Sequence, residues 1–102
     1  MSDKLVLLRA VFESLVQKHN QDIDKVYFEF GEMLMENHPL CDKNVLWCNG
    51  EILLAANVEI ANEVADWLDE LFDCACTGYY DPAYDAAWGL TDECTGYWYI
   101  DI

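Results

Sequence analysis

A chain of 102 residues with 54% hydrophobic and 14% aromatic residues, and a formal net charge of −15 from 20 acids against 5 Lys or Arg, has the size of one domain with one core. That apolar content excludes intrinsic disorder. The charge argues against direct binding to nucleic acid, which needs a cationic stripe to displace counterions, and against anionic membrane surfaces for the same reason.

Residues 3–19 predict an amphipathic helix, with Leu5, Leu8, Val11, Phe12, Leu15 and Val16 at helical spacing. Ser2 or Asp3 starts it, and Lys18 and His19 in its last turn suit the macrodipole. Arg9 cuts the apolar run Leu5–Leu8, so the segment reads as a folded helix and not as a signal peptide. Asn20-Gln21-Asp22 breaks the pattern. Ile23, Val26, Tyr27, Phe30, Met33 and Leu34 then predict a second helix that ends before His38-Pro39. So short a connection predicts an antiparallel pair.

Beyond Pro39 the period changes. Val45–Cys48, Asn49-Gly50 and Glu51–Ala55 resemble a hairpin closed by a type I′ turn, or alternatively one strand preceded by a turn. Asn57 offers an N-cap to a third helix over Val58–Phe72, whose apolar positions are Ile60, Ala61, Val64, Trp67, Leu68 and Leu71. The last thirty residues hold an echo, Cys76-Thr77-Gly78-Tyr79-Tyr80 and Cys94-Thr95-Gly96-Tyr97-Trp98, which predicts two strands of a long-looped hairpin. In the final strand Trp98, Ile100 and Ile102 would face the helices, leaving Thr95, Tyr97, Tyr99 and Asp101 as a tyrosine-rich outer face. The expected class is α+β: two N-terminal antiparallel helices followed by β-α-β-β with a small, mostly antiparallel sheet, all one acidic domain over residues 1–102.

The five basic residues are Lys4, Arg9, Lys18, Lys25 and Lys43, so residues 44–102 carry 12 acids and no Lys or Arg. On the third helix Glu59, Glu63, Asp66, Glu70 and Asp73 follow at spacings of 4, 3, 4 and 3, with Asp69 beside them. Such neighbours lie about 5 to 6 Å apart and repel by a few tenths of a kcal/mol per pair. A line of carboxylates at that interval imitates the phosphates of a nucleic-acid strand. A merely solvated face would interleave both signs. The 81–93 loop adds Asp81, Asp85, Asp92 and Glu93, and Tyr79, Tyr97 and Tyr99, with Tyr80 and Tyr84 nearby, would lie beside it as contact area. The alternative for the tyrosines is that another layer covers them as half-buried core.

Other chemistry finds less support. The five cysteines are odd in number and show no secreted framework, which suggests a reduced, cytoplasmic protein. His38-Pro39-Leu40-Cys41, Cys48, Cys74-Ala75-Cys76 and Cys94 lack the two close pairs of a structural zinc site, and the 81–93 acids match no calcium loop, so no metal or other cofactor is expected. His19 and His38 have no neighbouring nucleophile in a recognisable context, and no glycine-rich phosphate loop occurs, which leaves a non-enzymatic protein. No run of about 18 apolar residues predicts a membrane span.

In composition and in the charge layout of residues 44–102, the chain resembles the small acidic anti-CRISPR and antirestriction inhibitors of phages and mobile elements. The stretches 77–82 and 95–99 are similar to small prophage proteins of low-GC Gram-positive bacteria. The resemblance implies a non-enzymatic DNA mimic in the bacterial host cytoplasm, a monomer or weak dimer. It implies a basic nucleic-acid-binding partner, most concretely a CRISPR nuclease. The alternative is a protein–protein adaptor or prophage domain that uses the tyrosine face and is acidic only for solubility.

Overall fold

The computed structural model describes residues 3–50, 52–72, 75–83, 87 and 94–102. Its elements are α1 (Asp3–Lys18), α2 (Ile23–Met33), β1 (Leu46–Asn49), β2 (Ile52–Ala55), α3 (Val58–Asp69), β3 (Cys76–Tyr79) and β4 (Trp98–Asp101). The architecture is α+β, and the β unit ahead of α3 is a hairpin of two strands.

Asn20 and Gln21 turn the chain between the first two helices in the left-handed region, at φ 52° and 64°, and the Asp22 side chain caps α2 by accepting from Lys25 N–H. Lys18 Nζ and His19 Nε2 each lie 2.7 Å from a Glu29 oxygen, tying the end of α1 to α2. The hydrogen bond from Lys18, then that with His19, holds the Glu29 carboxyl below its ordinary range. Phe12 of α1 meets Phe30 of α2 and Trp67 of α3 at centroid distances of 5.6 and 5.9 Å.

Two helices stop short of their predicted ends. α2 was expected to run almost to His38 but ends at Met33, because the Leu34 carbonyl accepts from Cys48 N–H at 2.9 Å and Met35 forms a parallel bridge with Cys48. The chain leaves the helix to cover the outer edge of β1. α3 ends at Asp69 instead of Phe72. Leu71 and Phe72 N–H both turn back to the Leu68 carbonyl, and Asp69 Oδ1 accepts from Ala75 N–H.

The sheet order is β1-β2-β4-β3, with every pair antiparallel. Asn49 pairs with Ile52, so the two-residue turn starts at Gly50 (φ 66°), one position later than the Asn49-Gly50 turn expected from sequence. Asn49 is thereby the last residue of β1, and its side-chain amide donates to Cys94 Sγ at 3.0 Å.

Cross-strand partners share a face, and the register sorts the side chains into two layers. Leu46, Cys48, Leu53, Ala55 and Ile100 join the core formed with the three helices, with Trp98 and Ile102 packed against it as expected. Trp47, Leu54, Tyr99 and Gly78 form a row on the opposite face. Trp47 is 1% and Leu54 0% exposed, so that face is covered as well. Tyr97 packs edge-on against the Trp47 ring at 5.4 Å, Lys43 Nζ sits 4.3 Å from its centroid, and Tyr80 lies 5.3 Å from Tyr99. Among the described residues the Trp47 indole N–H has no hydrogen-bond partner.

One side chain stitches α2 to the sheet. The buried Tyr27 hydroxyl donates to the Ile100 carbonyl at 2.6 Å and accepts from Leu53 N–H at 3.2 Å. Leu53 and Ile100 are opposite one another on β2 and β4. Burial raises the phenol far above its ordinary value, which keeps the hydroxyl proton in place as a donor.

Cys48, buried beneath α2, has its thiol pushed by burial up to about 11 from 9.0. The unfolded thiol ionises first, so stability falls as pH rises from 9 to about 11, by up to about 1.4 kcal/mol per pH unit. Urea unfolding at pH 8.5, 9.5 and 10.5 should show this loss, and Cys48→Ala should reduce the slope. In the native protein a thiol reagent should modify exposed Cys76 well before Cys48. No helix among the described residues is long and apolar enough to cross a membrane.

Candidate functional site

α3 carries the acidic line because its other face is fully committed to packing. Ala61, Val64, Ala65, Trp67 and Leu68 are buried, and Asn57 Oδ1 caps the N-terminus by accepting from Ile60 N–H at 2.9 Å. What remains outward is Glu59, Asp66, Asp69 and Glu70, all exposed, with Glu63 half-buried. The α3 acids within the described residues therefore do share one side of the helix. Asp73 lies outside the described residues.

They are not equivalent. Among the described residues Glu59 and Asp66 have no side-chain hydrogen-bond or ion-pair partner. Glu63 Oε1 accepts from the Trp67 indole N–H at 3.2 Å, so it satisfies the donor of a buried side chain. Asp69 is engaged with Ala75 N–H. Glu70 Oε2 accepts from Arg9 at 2.8 Å, and the same guanidinium binds Glu13 at 2.8 Å and lies 5.4 Å from the Trp67 ring centroid. The absence of Lys and Arg from residues 44–102 is thus compensated in space at one point. α1 delivers a cation across 61 positions of sequence, and separation along the chain hides it.

A shallow cleft of about 350 Å³ lies between α1 and α3, with Arg9 and Trp67 among its walls and Glu63, Asp66 and Glu70 along it. The arrangement presents several carboxylates beside one guanidinium. Such pairs are worth about 0 to 1 kcal/mol at an exposed site.

The expected tyrosine cluster is divided by the sheet. Tyr97 and Tyr99 lie on the outer face, half-buried against Trp47 and Tyr80. Tyr79 pairs with Trp98 and stacks on it at 4.6 Å, which puts it on the helix-facing side at the sheet edge, 42% exposed. Odd and even positions of β3 and β4 are offset by the register, a fact invisible in the two repeated motifs. Asp81 is exposed, its carboxylate accepting from Ala83 N–H in a local turn. Asp85, Asp92 and Glu93, together with Tyr84, lie outside the described residues.

Both histidines are used locally: His19 at Glu29, and His38 through Nδ1, which accepts from Leu40 N–H at 3.1 Å. Cys76 is exposed on the edge strand. Among the described residues no three His, Cys, Asp or Glu side chains gather closely enough to hold a metal ion.

Sequence reading also passed over one region. α2 exposes Phe28 beside Asp24 and Glu32, and Met35, just past the helix end, is exposed as well. The signal was present, since Phe28 falls outside the apolar set of its helix. Comparisons of the chain with protein-family models, with curated proteins and with solved structures return no match.

Proposed function

We propose that this protein is a non-enzymatic acidic ligand for a cationic nucleic-acid-binding protein, most concretely a CRISPR nuclease, and that it competes with nucleic acid for that surface. The observation that carries the reading is the outward side of α3, where Glu59, Glu63, Asp66, Asp69 and Glu70 follow one another without a basic residue on the helix itself. A rigid helix presents these charges at fixed intervals, so a surface built to grip phosphates meets them without further ordering of the ligand.

Arg9 supports the same reading in an unexpected way. Its pair with Glu70 occupies the place that a partner's cation would take, and exchange of one guanidinium for another costs little. The adaptor reading, in which tyrosines carry the contact, is less well supported. Tyr97 and Tyr99 are half-buried against their own sheet, and Tyr79 faces the other way.

The test is competition. A fluorescent target duplex bound to a purified, guide-loaded Cas9-type nuclease should be displaced by this protein. The apparent inhibition constant should rise steeply between 50 and 300 mM salt, because screening shortens the reach of exposed charges. Displacement that is absent at the lowest salt, or indifferent to salt, counts against the reading.

A further inference from the structure

We infer that the groove between α2, the β1–β2 turn and the end of β4 is a docking site for a cationic peptide segment that carries one apolar anchor. The groove encloses about 530 Å³, within the range of small ligand clefts. Its apolar surface comes from Phe28, Met35 and Ile102, and its rim from Asp24, Glu32 and Asp101. Phe28 is 64% and Met35 39% exposed. Asp24, Phe28 and Glu32 stand at intervals of four on α2, so the ring lies between two carboxylates along one line of the helix.

The chemistry selects the occupant. Among the described residues no Lys, Arg or His lines the groove, and neither Asp24, Glu32 nor Asp101 forms an ion pair. A neutral apolar molecule would leave that rim unused, and phosphate-bearing ligands would be repelled by it. A second copy would bring its own charge of −15 to the same place. A lysine or arginine side chain instead gains twice, from the carboxylates and from the face of Phe28. Its neighbour, a leucine-sized side chain, covers apolar surface that water now wets. This site is on a different element from the acidic line of α3, and it needs neither a nuclease nor DNA to be tested, so the two readings fail separately.

The probe is a fluorescein-labelled peptide, Lys-Arg-Leu-Arg-Lys, and its partner with Ser in place of Leu. Titrated into the full chain, the leucine peptide should bind about tenfold more tightly or better, the return for burying one leucine-sized side chain. In amide NMR spectra the shifts should concentrate on Asp24 to Met35, Gly50 and Asp101. Phe28→Ser, at an exposed position, should keep the native spectrum and remove the leucine peptide's advantage. Asp24→Asn with Glu32→Gln should weaken both peptides together. Equal binding of the two peptides, shifts centred on α3, or no binding would overturn the inference. So would a concentration-dependent dimer, seen by sedimentation, that Phe28→Ser dissolves, since the occupant would then be a second copy.

Discussion

Replacing Glu59 and Asp66 together by lysine is expected to lower affinity for the cationic partner by about a hundredfold, because each reversal turns an attraction into a like-charge contact. The choice of residues follows from the hydrogen bonds. Glu59 and Asp66 are exposed and have no side-chain partner among the described residues, so their loss should cost the fold only a few tenths of a kcal/mol through the helix dipole and neighbouring charges. Glu63 is a poorer target for reversal. Lysine there cannot accept the Trp67 indole N–H, and Trp67 is buried. That variant would lose binding and stability together, with no way to separate them. Glu63→Gln removes the charge and keeps an oxygen acceptor, so it isolates the electrostatic part.

Arg9→Gln provides the opposite sign. It frees Glu70 and Glu13 from their cation, which should tighten binding to a basic surface while costing about 1 kcal/mol or less of stability, as exposed ion pairs do. Competition against labelled DNA at fixed low salt measures all three variants. Unchanged competition by the Glu59→Lys, Asp66→Lys variant would sink the acidic-line reading.

Tyr27→Phe is expected to destabilise the protein by about 1 to 3 kcal/mol, the cost of leaving buried polar groups without the partner they have. The substitution removes one oxygen and leaves the ring, so packing against the core changes little. It takes away both the donor to the Ile100 carbonyl and the acceptor for Leu53 N–H, on two different strands. In urea the midpoint should fall by about 0.5 to 1.5 M for a slope of about 2 kcal/mol per M. A midpoint within experimental error of the parent would mean that the hydroxyl's bonds are matched by equivalent ones in the variant.

That tyrosine illustrates which parts of the structure could be read in advance. Its place in α2 was plain from the period of Ile23, Val26, Tyr27 and Phe30, and all four are buried. Its hydroxyl bonds were not, because they join positions 27, 53 and 100, and nothing along the chain indicates which strands will flank a given helix position. Helix cores and the N-cap Asn57 were legible for a local reason: apolar spacing and caps are properties of adjacent turns. Helix ends were less so. Leu34 leaves α2 to bond a strand that begins twelve residues later, a competition that local propensity does not register.

For the candidate site the division is similar. The amino-acid sequence by itself determined the net charge, the α+β class, the single side of α3 on which the acids stand, and the alternation that turns Ile100 and Trp98 to the core. The charge is composition alone, and the last two depend on a period of about 3.6 or of two residues and on nothing distant. Tertiary structure alone decided that Arg9 reaches Glu70, that Tyr79 and Tyr99 take opposite faces of the sheet, that Tyr97 is spent on Trp47, and that Phe28 overlooks a groove. These depend on strand order, register and the packing of one helix over another, where the partners are tens of residues apart and a shift of one position moves a side chain to the other face.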